Sequence, residues 1–152
     1  MSKDFSFRPL TTADRQLIEE LVRAYYHFDE LTFEPTLHGS ALDQLCASDP
    51  AVHTWIIEQG GQTAGYLIIS TGFSMYYGGK DGFIDELFLK DEFRGRGGGT
   101  QIMTFANEQA KRLGLAYLHL EVTETNHHAR RIYERQGFAP TGHMLMSKPI
   151  SQ

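Results

Sequence analysis

The chain has 152 residues, of which 41% are hydrophobic and 22% charged, with a formal net charge of -5 and a single cysteine. That length suits one domain with a proper core, and the acidic balance argues against a nucleic-acid partner and favours cationic ones. No apolar run nears the roughly 20 residues of a membrane span, Met1-Ser2-Lys3-Asp4 does not read as a signal peptide, and the lone Cys46 excludes an internal disulfide and fits the reducing cytoplasm, as a structural apolar thiol.

Phe5 and Phe7 alternate with polar neighbours as a short strand. Thr11 or Thr12 can cap a helix carrying Leu17, Ile18, Leu21, Val22 and Tyr25 at helical spacing, with Asp14 in its first turn. Residues 29–39 contain Pro35 and Gly39 and read as a loop, followed by a short helix around Leu42 and Leu45. Val52 to Glu58 and Thr63 to Ser70 read as strands joined at Gly60-Gly61, and Tyr76 to Lys80 as a longer turn before a strand over 83–89. A helix from about Gly98 to Leu113-Gly114 follows, then a strand from Leu115 to Val122. Asn126 caps a helix to Gln136, and Phe138 to Met146 supplies at least one more strand. The expected fold is one mixed α/β domain over 1–152, with a sheet of about six or seven strands flanked by about four helices.

The run Arg94-Gly95-Arg96-Gly97-Gly98-Gly99-Thr100 joins an expected strand to an expected helix. Bare glycine backbone lets several N–H groups converge at a helix N-terminus, where the dipole favours an anion, and the arginines add full charge. The turn therefore suits a pyrophosphate. It lacks the Lys-Ser/Thr pair of a P-loop and the glycine spacing of the dinucleotide fingerprint. What it fits is R-x-x-G-x-G, as Arg94-x-x-Gly97-x-Gly99.

That pattern resembles motif A of the GCN5-related N-acetyltransferase (GNAT) superfamily. Asn126 to Phe138 resembles the same superfamily's second signature, N-x-x-A-x-x-x-Y-x-x-x-G-F, and Phe7 to Asp14 resembles its opening strand and first-helix cap. The resemblance implies acetyl-CoA as cosubstrate and no metal. It implies that Gly95 to Thr100 hold the pyrophosphate with the flanking Arg94 and Arg96. The strand residues Leu87, Phe88 and Leu89 would pair with the pantetheine arm, with Asn126 beside it. It implies a homodimer as well.

For the chemistry, Tyr133 matches the family tyrosine that protonates the departing thiolate, although a core aromatic would also fit its helix stripe. The attacking nitrogen must shed a proton, since an alkylammonium with a pKa near ~10 has no lone pair. Asp85 and Glu86 sit in an otherwise apolar strand where an unpaired carboxylate is costly. Alternation puts one on each face unless a bulge intervenes, and Glu86 is the preferred base, with Glu121 a weaker candidate. Asn126 is also a natural N-cap. No histidine spacing suggests a metal cage.

The stretch Tyr77 to Leu89 resembles the spermidine/spermine acetyltransferase branch, with its two acids in swapped order. Tyr25 to Glu34 mixes aromatics with acids, which suits an ammonium-bearing substrate. The expected activity is acetyl transfer to a small primary amine, a diamine, polyamine or amino-acid-like amine, by direct attack on the thioester. A non-catalytic acyl-CoA sensor, or acylation of protein N-termini or lysines, are the alternatives.

Overall fold

Five strands form one sheet in the order β1-β2-β3-β4-β5. In the computed structural model, which describes residues 4–150, β1 spans Phe5–Pro9, β2 Val52–Gln59, β3 Gln62–Ser74, β4 Gly79–Leu89 and β5 Tyr117–His119. The first four pair antiparallel, and β5 joins β4 in parallel. The helices are α1 (Arg15–Phe28), α2 (Pro35–Cys46), α3 (Gly98–Arg112) and α4 (His127–Arg135). None among the described residues is long and apolar enough to cross a membrane. The start at Met1 to Lys3 lies outside the described residues. The chain divides between Glu121 and Val122 into two compact units, with the sheet and α1 to α3 in the first and α4 in the second.

Alternation along the strands builds two apolar layers. Ile56, Tyr66, Ile68 and Phe88 pack with Ile18, Leu21 and Val22 of α1 and with Leu42 and Cys46 of α2. On the other parity, Phe7 stacks on Phe105 of α3 at 4.0 Å, and Trp55 meets the same ring edge-on at 5.4 Å. Cys46 is a buried free thiol in the first layer, where burial pushes it above its ordinary value and keeps it unreactive.

The structure corrects the expected elements in three places. The second helix begins at Pro35, inside the segment read as loop. Proline at the first helical position lacks only an N–H that would be unpaired anyway, and Glu34 caps the helix by accepting the Thr36 and Leu37 amides. Phe138 to Met146 forms no strand among the described residues. Pro140 cannot donate to a ladder and Gly142 turns with φ 78°. The strand expected over Leu115 to Val122 shrinks to Tyr117–His119, so the sheet has five strands rather than six or seven. Its pairing with β4 ends at Phe83 opposite His119, next to an irregularity in β4.

That irregularity is a bulge. Ile68 stands opposite Glu86 and Ile69 opposite Ile84, so Asp85 is the extra residue.

At the start of the fold, Asp14 takes a two-pronged hydrogen bond from the Arg8 guanidinium at 2.8 and 3.0 Å and also accepts the Thr11 amide and hydroxyl. The Arg8 fork leads in holding Asp14 down from 3.8 to about 2. Arg8 remains 38% exposed, so solvent screens part of this attraction. Asp14→Asn is expected to cost about 1–2 kcal/mol at pH 7, measured by urea unfolding. Because the folded value lies below the unfolded one, the contribution is complete above the ordinary value. It fades as pH falls from 3.8 to about 2, where wild type and variant should converge.

Candidate active site

After Leu89 the chain makes a short 3-10 turn, Asp91–Phe93, whose buried Phe93 anchors it. Gly97 is the N-cap of α3 with φ 76°, a left-handed conformation that glycine adopts without strain, and a Cβ there would enter open space. Gly98 is constrained differently: a Cβ would stand 2.8 Å from the Phe5 ring and 3.2 Å from Leu89. Gly99 lies in the first turn of α3 and is absent from the positive-φ glycines, so the conformational demand falls on Gly95 and Gly97. The amides of Gly98, Gly99 and Thr100 open the helix and have no carbonyl four residues back within it. These donors and the open side of Gly97 fit a diphosphate.

The two arginines divide their work. Arg94 donates from Nε to the Leu89 carbonyl at 2.8 Å, pairs with Asp91 at 2.7 Å and lies 3.9 Å above the Phe28 ring. It holds the turn against α1 and the end of β4. Arg96 is exposed, with its guanidinium 6.0 Å from the Phe93 ring.

Along β4, pairing with β5 covers only Asp81, Gly82 and Phe83. Past Phe83 no described strand pairs with that edge; apart from the Leu89 carbonyl, which accepts from Arg94, its outward backbone groups over Leu87 to Leu89 are open to an extended amide-bearing chain. The Phe88 side chain is buried against α1.

A cleft of about 300 Å³ opens between the sheet and the first two helices. Val22, Leu42, Leu45 and Ile68 give it apolar walls, and Tyr26, His38, Asp49, Asp85 and Glu86 supply its polar groups. The bulge brings both strand acids to this one cleft, where plain alternation would have separated them. Tyr26 donates to Glu86 Oε2 at 2.9 Å and Tyr66 donates to Oε1 at 3.0 Å. Burial raises the Glu86 carboxyl, and Asp85 adds to this. The two phenols and His38 act in the opposite sense, and the net direction is upward. Desolvation also raises Asp85, which sits exposed at the rim.

Of the aromatic and acidic segment from Tyr25 to Glu34, only Tyr26 lines this cleft. Phe28 is covered by Arg94, and Phe33 by Arg23 at 4.0 Å, so those two ring faces already carry cations from the chain itself. Tyr66, His38 and Asp49 were missed in the sequence. A phenol within the aliphatic run Ala64 to Ile69 demands a hydrogen-bond partner, a signal by which Tyr66 could have been found. Nothing comparable marked His38 or Asp49.

In the second unit, Asn126 caps α4, accepting the Ala129 amide at 3.2 Å. Tyr133 is half-buried and meets Phe138 edge-on at 6.1 Å, and burial raises its phenol above the ordinary value. His127 and His128 are exposed, as is Glu121, which lies in no strand. His119 contacts Asp81 at 3.1 Å, and His53 stacks near Trp55. Among the described residues no group of three His, Cys, Asp or Glu could hold a metal ion.

Strand, glycine turn and helix beside a free strand edge define an acyltransferase that draws its acetyl group from acetyl-CoA. The acetyltransferase (GNAT) family matches residues 15–138, and the chain belongs to it. It is 27% identical over 143 residues to the aminoalkylphosphonate N-acetyltransferase of Salmonella typhimurium, covering 94% of this chain and 90% of that protein. AAC(6')-Iy in complex with a bisubstrate analogue, CoA-S-monomethyl-acetylneamine, superposes with a TM-score of 0.78 at 14% identity, over 97% of this chain and 99% of that one. The ribosomal-protein-alanine N-acetyltransferase of Brucella melitensis gives 0.75 at 16% identity, over 95% and 99%. The names of these three proteins carry three different acceptors on one fold, so the fold alone does not select the acceptor.

Gly97→Ala is expected to cost about 1 kcal/mol of stability through its left-handed backbone and to raise KM for acetyl-CoA about tenfold. Arg96→Ala should raise that KM with Tm unchanged, whereas Arg94→Ala should lower Tm. Thermal melts and acetyl-CoA titrations separate the three.

Proposed function

We propose that the chain, acting as one acetyltransferase domain, acetylates the primary amine of a small molecule that carries no strong anion, by direct attack of nitrogen on the thioester. The observation that carries this reading is the pairing of Asp85 and Glu86 in one cleft of about 300 Å³. A cleft of that size lies at the lower end for small-ligand pockets. Among its described lining residues none is lysine or arginine. A phosphonate or carboxylate on the acceptor would face carboxylates there without a compensating cation, so the acceptor differs in charge from an aminoalkylphosphonate. A diamine, or another amine with a second cationic group, suits the same lining.

Asp85 at the rim attracts the incoming ammonium, and Glu86 takes its proton. The freed nitrogen forms the new N–C bond, the C–S bond breaks, and CoA leaves as a thiolate. Tyr133, a phenol and so protonated at neutral pH, supplies the thiolate proton. Its phenolate is restored by the second proton released from nitrogen. Arg96 and the amides of Gly98 to Thr100 bind the diphosphate, and the free edge of β4 near Leu87 pairs with the pantetheine. The resemblance also supports a homodimer working in the cytoplasm.

Thiol release should be measured with simple alkylamines, diamines, aminoalkylphosphonates, amino acids and peptide N-termini. The expected order places diamines first and aminoalkylphosphonates last. Turnover confined to peptides or phosphonates sinks the proposal. Tyr133→Phe should retain acetyl-CoA affinity and lose roughly 10²-fold in kcat. The acid limb of kcat/KM should lie above 4.5, because Glu86 is raised in the fold and must be deprotonated to act.

A further inference from the structure

The proposed base is held by two phenols, one lining the cleft and one buried in the sheet. Tyr66 lies in β3 with no solvent exposure, and its ring packs among Phe88 and Tyr25. Tyr26 comes from α1, half-buried, with its ring edge-on to His38 of α2 at 5.2 Å. Their hydroxyls reach different oxygens of the same carboxylate, at 3.0 and 2.9 Å. A buried phenol in an apolar layer normally satisfies itself on a backbone carbonyl. Here both converge on one acid from separate elements.

We propose that Tyr26 and Tyr66 are positioning residues that clamp Glu86, fixing its plane and leaving one lone pair on each oxygen directed at the acceptor nitrogen or its relay water. This inference rests on Glu86 being the proton acceptor of the proposed reaction.

The clamp has two physical effects. Geometrically, a glutamate has three rotatable bonds, and two bonds to rigid rings remove that freedom before the substrate arrives. Electrostatically, it opposes the burial of Glu86 and the neighbouring charge of Asp85. Both of those favour the protonated form, which cannot accept a proton. The phenols donate only to the charged form's advantage, so they keep Glu86 usable as a base. The other titratable groups facing this cleft are His38 on α2 and Asp49 before β2. His38 adds to the phenols' effect. His38 Nδ1 lies 2.8 Å from the Glu34 amide and 3.1 Å from the Glu34 carbonyl, so that nitrogen is engaged at the start of α2.

The test is the pH dependence of kcat/KM for the best amine of the panel, in wild type, Tyr26→Phe, Tyr66→Phe and Glu86→Gln. Phenylalanine keeps the ring and removes only the hydroxyl. Each Phe variant should shift the acid limb upward by about one pH unit, near the effect of one lost hydrogen bond to a charged acceptor. Activity should recover at higher pH with KM for acetyl-CoA unchanged, and that recovery separates positioning from damage to the fold. Glu86→Gln should remove the limb. If Gln removes it and both Phe variants leave it unmoved, the clamp is wrong and the base assignment stands. If Glu86→Gln retains both the limb and the rate, the base assignment fails and takes the clamp with it. Should Tyr66→Phe fail to fold, Tyr26→Phe, on the rim of the cleft, still decides the question.

Discussion

One extra residue in β4 governs the chemistry of this molecule. Without the bulge at Asp85, strand alternation would send Asp85 and Glu86 to opposite faces, and one carboxylate would point at α3. With it, both reach the cleft under α1 and α2. The same irregularity sits beside the last β4–β5 pair, Phe83 with His119. The local distortion thus lies between the part of β4 that pairs with β5 and its open edge, and it gathers both acids on one face.

Such a site is expensive to fold. Two carboxylates side by side repel each other, and partial burial disfavours both charges. The molecule offsets this for one acid only. Glu86 receives two phenolic hydrogen bonds, whereas Asp85 stays at the solvent-exposed rim, where water supplies the compensation. Different environments for adjacent acids fit different tasks: a held carboxylate suits accepting a proton, and a solvent-facing one suits attracting a cation. The stability of the surrounding sheet comes from elsewhere, from the two apolar layers and from the Arg8–Asp14 fork at the start of the fold.

The turn and helix motifs were legible because their chemistry is local. Gly97 must adopt a left-handed conformation wherever the chain leaves that turn for a helix, and the sequence places a glycine there. Asn126 reads as an N-cap and is one. The start of α2 is hidden in the sequence because Pro35 reads as a breaker, whereas in the fold it is the first helical residue. The partners of Glu86 were invisible for another reason: Tyr26 and Tyr66 lie 60 and 20 residues away from it, and only strand pairing and helix docking bring them together. The final strand failed because Pro140 and Gly142 outweigh the apolar pattern around them. What the sequence does not show for Arg94, expected to add charge beside the phosphate, is that it also braces the turn through the Leu89 carbonyl, Asp91 and the Phe28 ring.

The distribution of charge in the first unit explains how two unlike substrates can be sorted. The glycine turn combines a helix N-terminus with exposed Arg96, a setting that suits an anionic group. The cleft carries Asp49, Asp85 and Glu86 with no lysine or arginine among its described lining, and it repels such a group. An ammonium experiences the reverse preference at both places. A chain with a net charge of -5 could attract amines anywhere on its surface, but the cleft combines negative charge with partial exclusion of water, and there each charge acts at a lower effective dielectric. Selectivity then follows from burial rather than from the total charge. Enlarging the cleft to admit a longer acceptor would hydrate Glu86, lower its basicity and weaken the contrast that tells the two substrates apart.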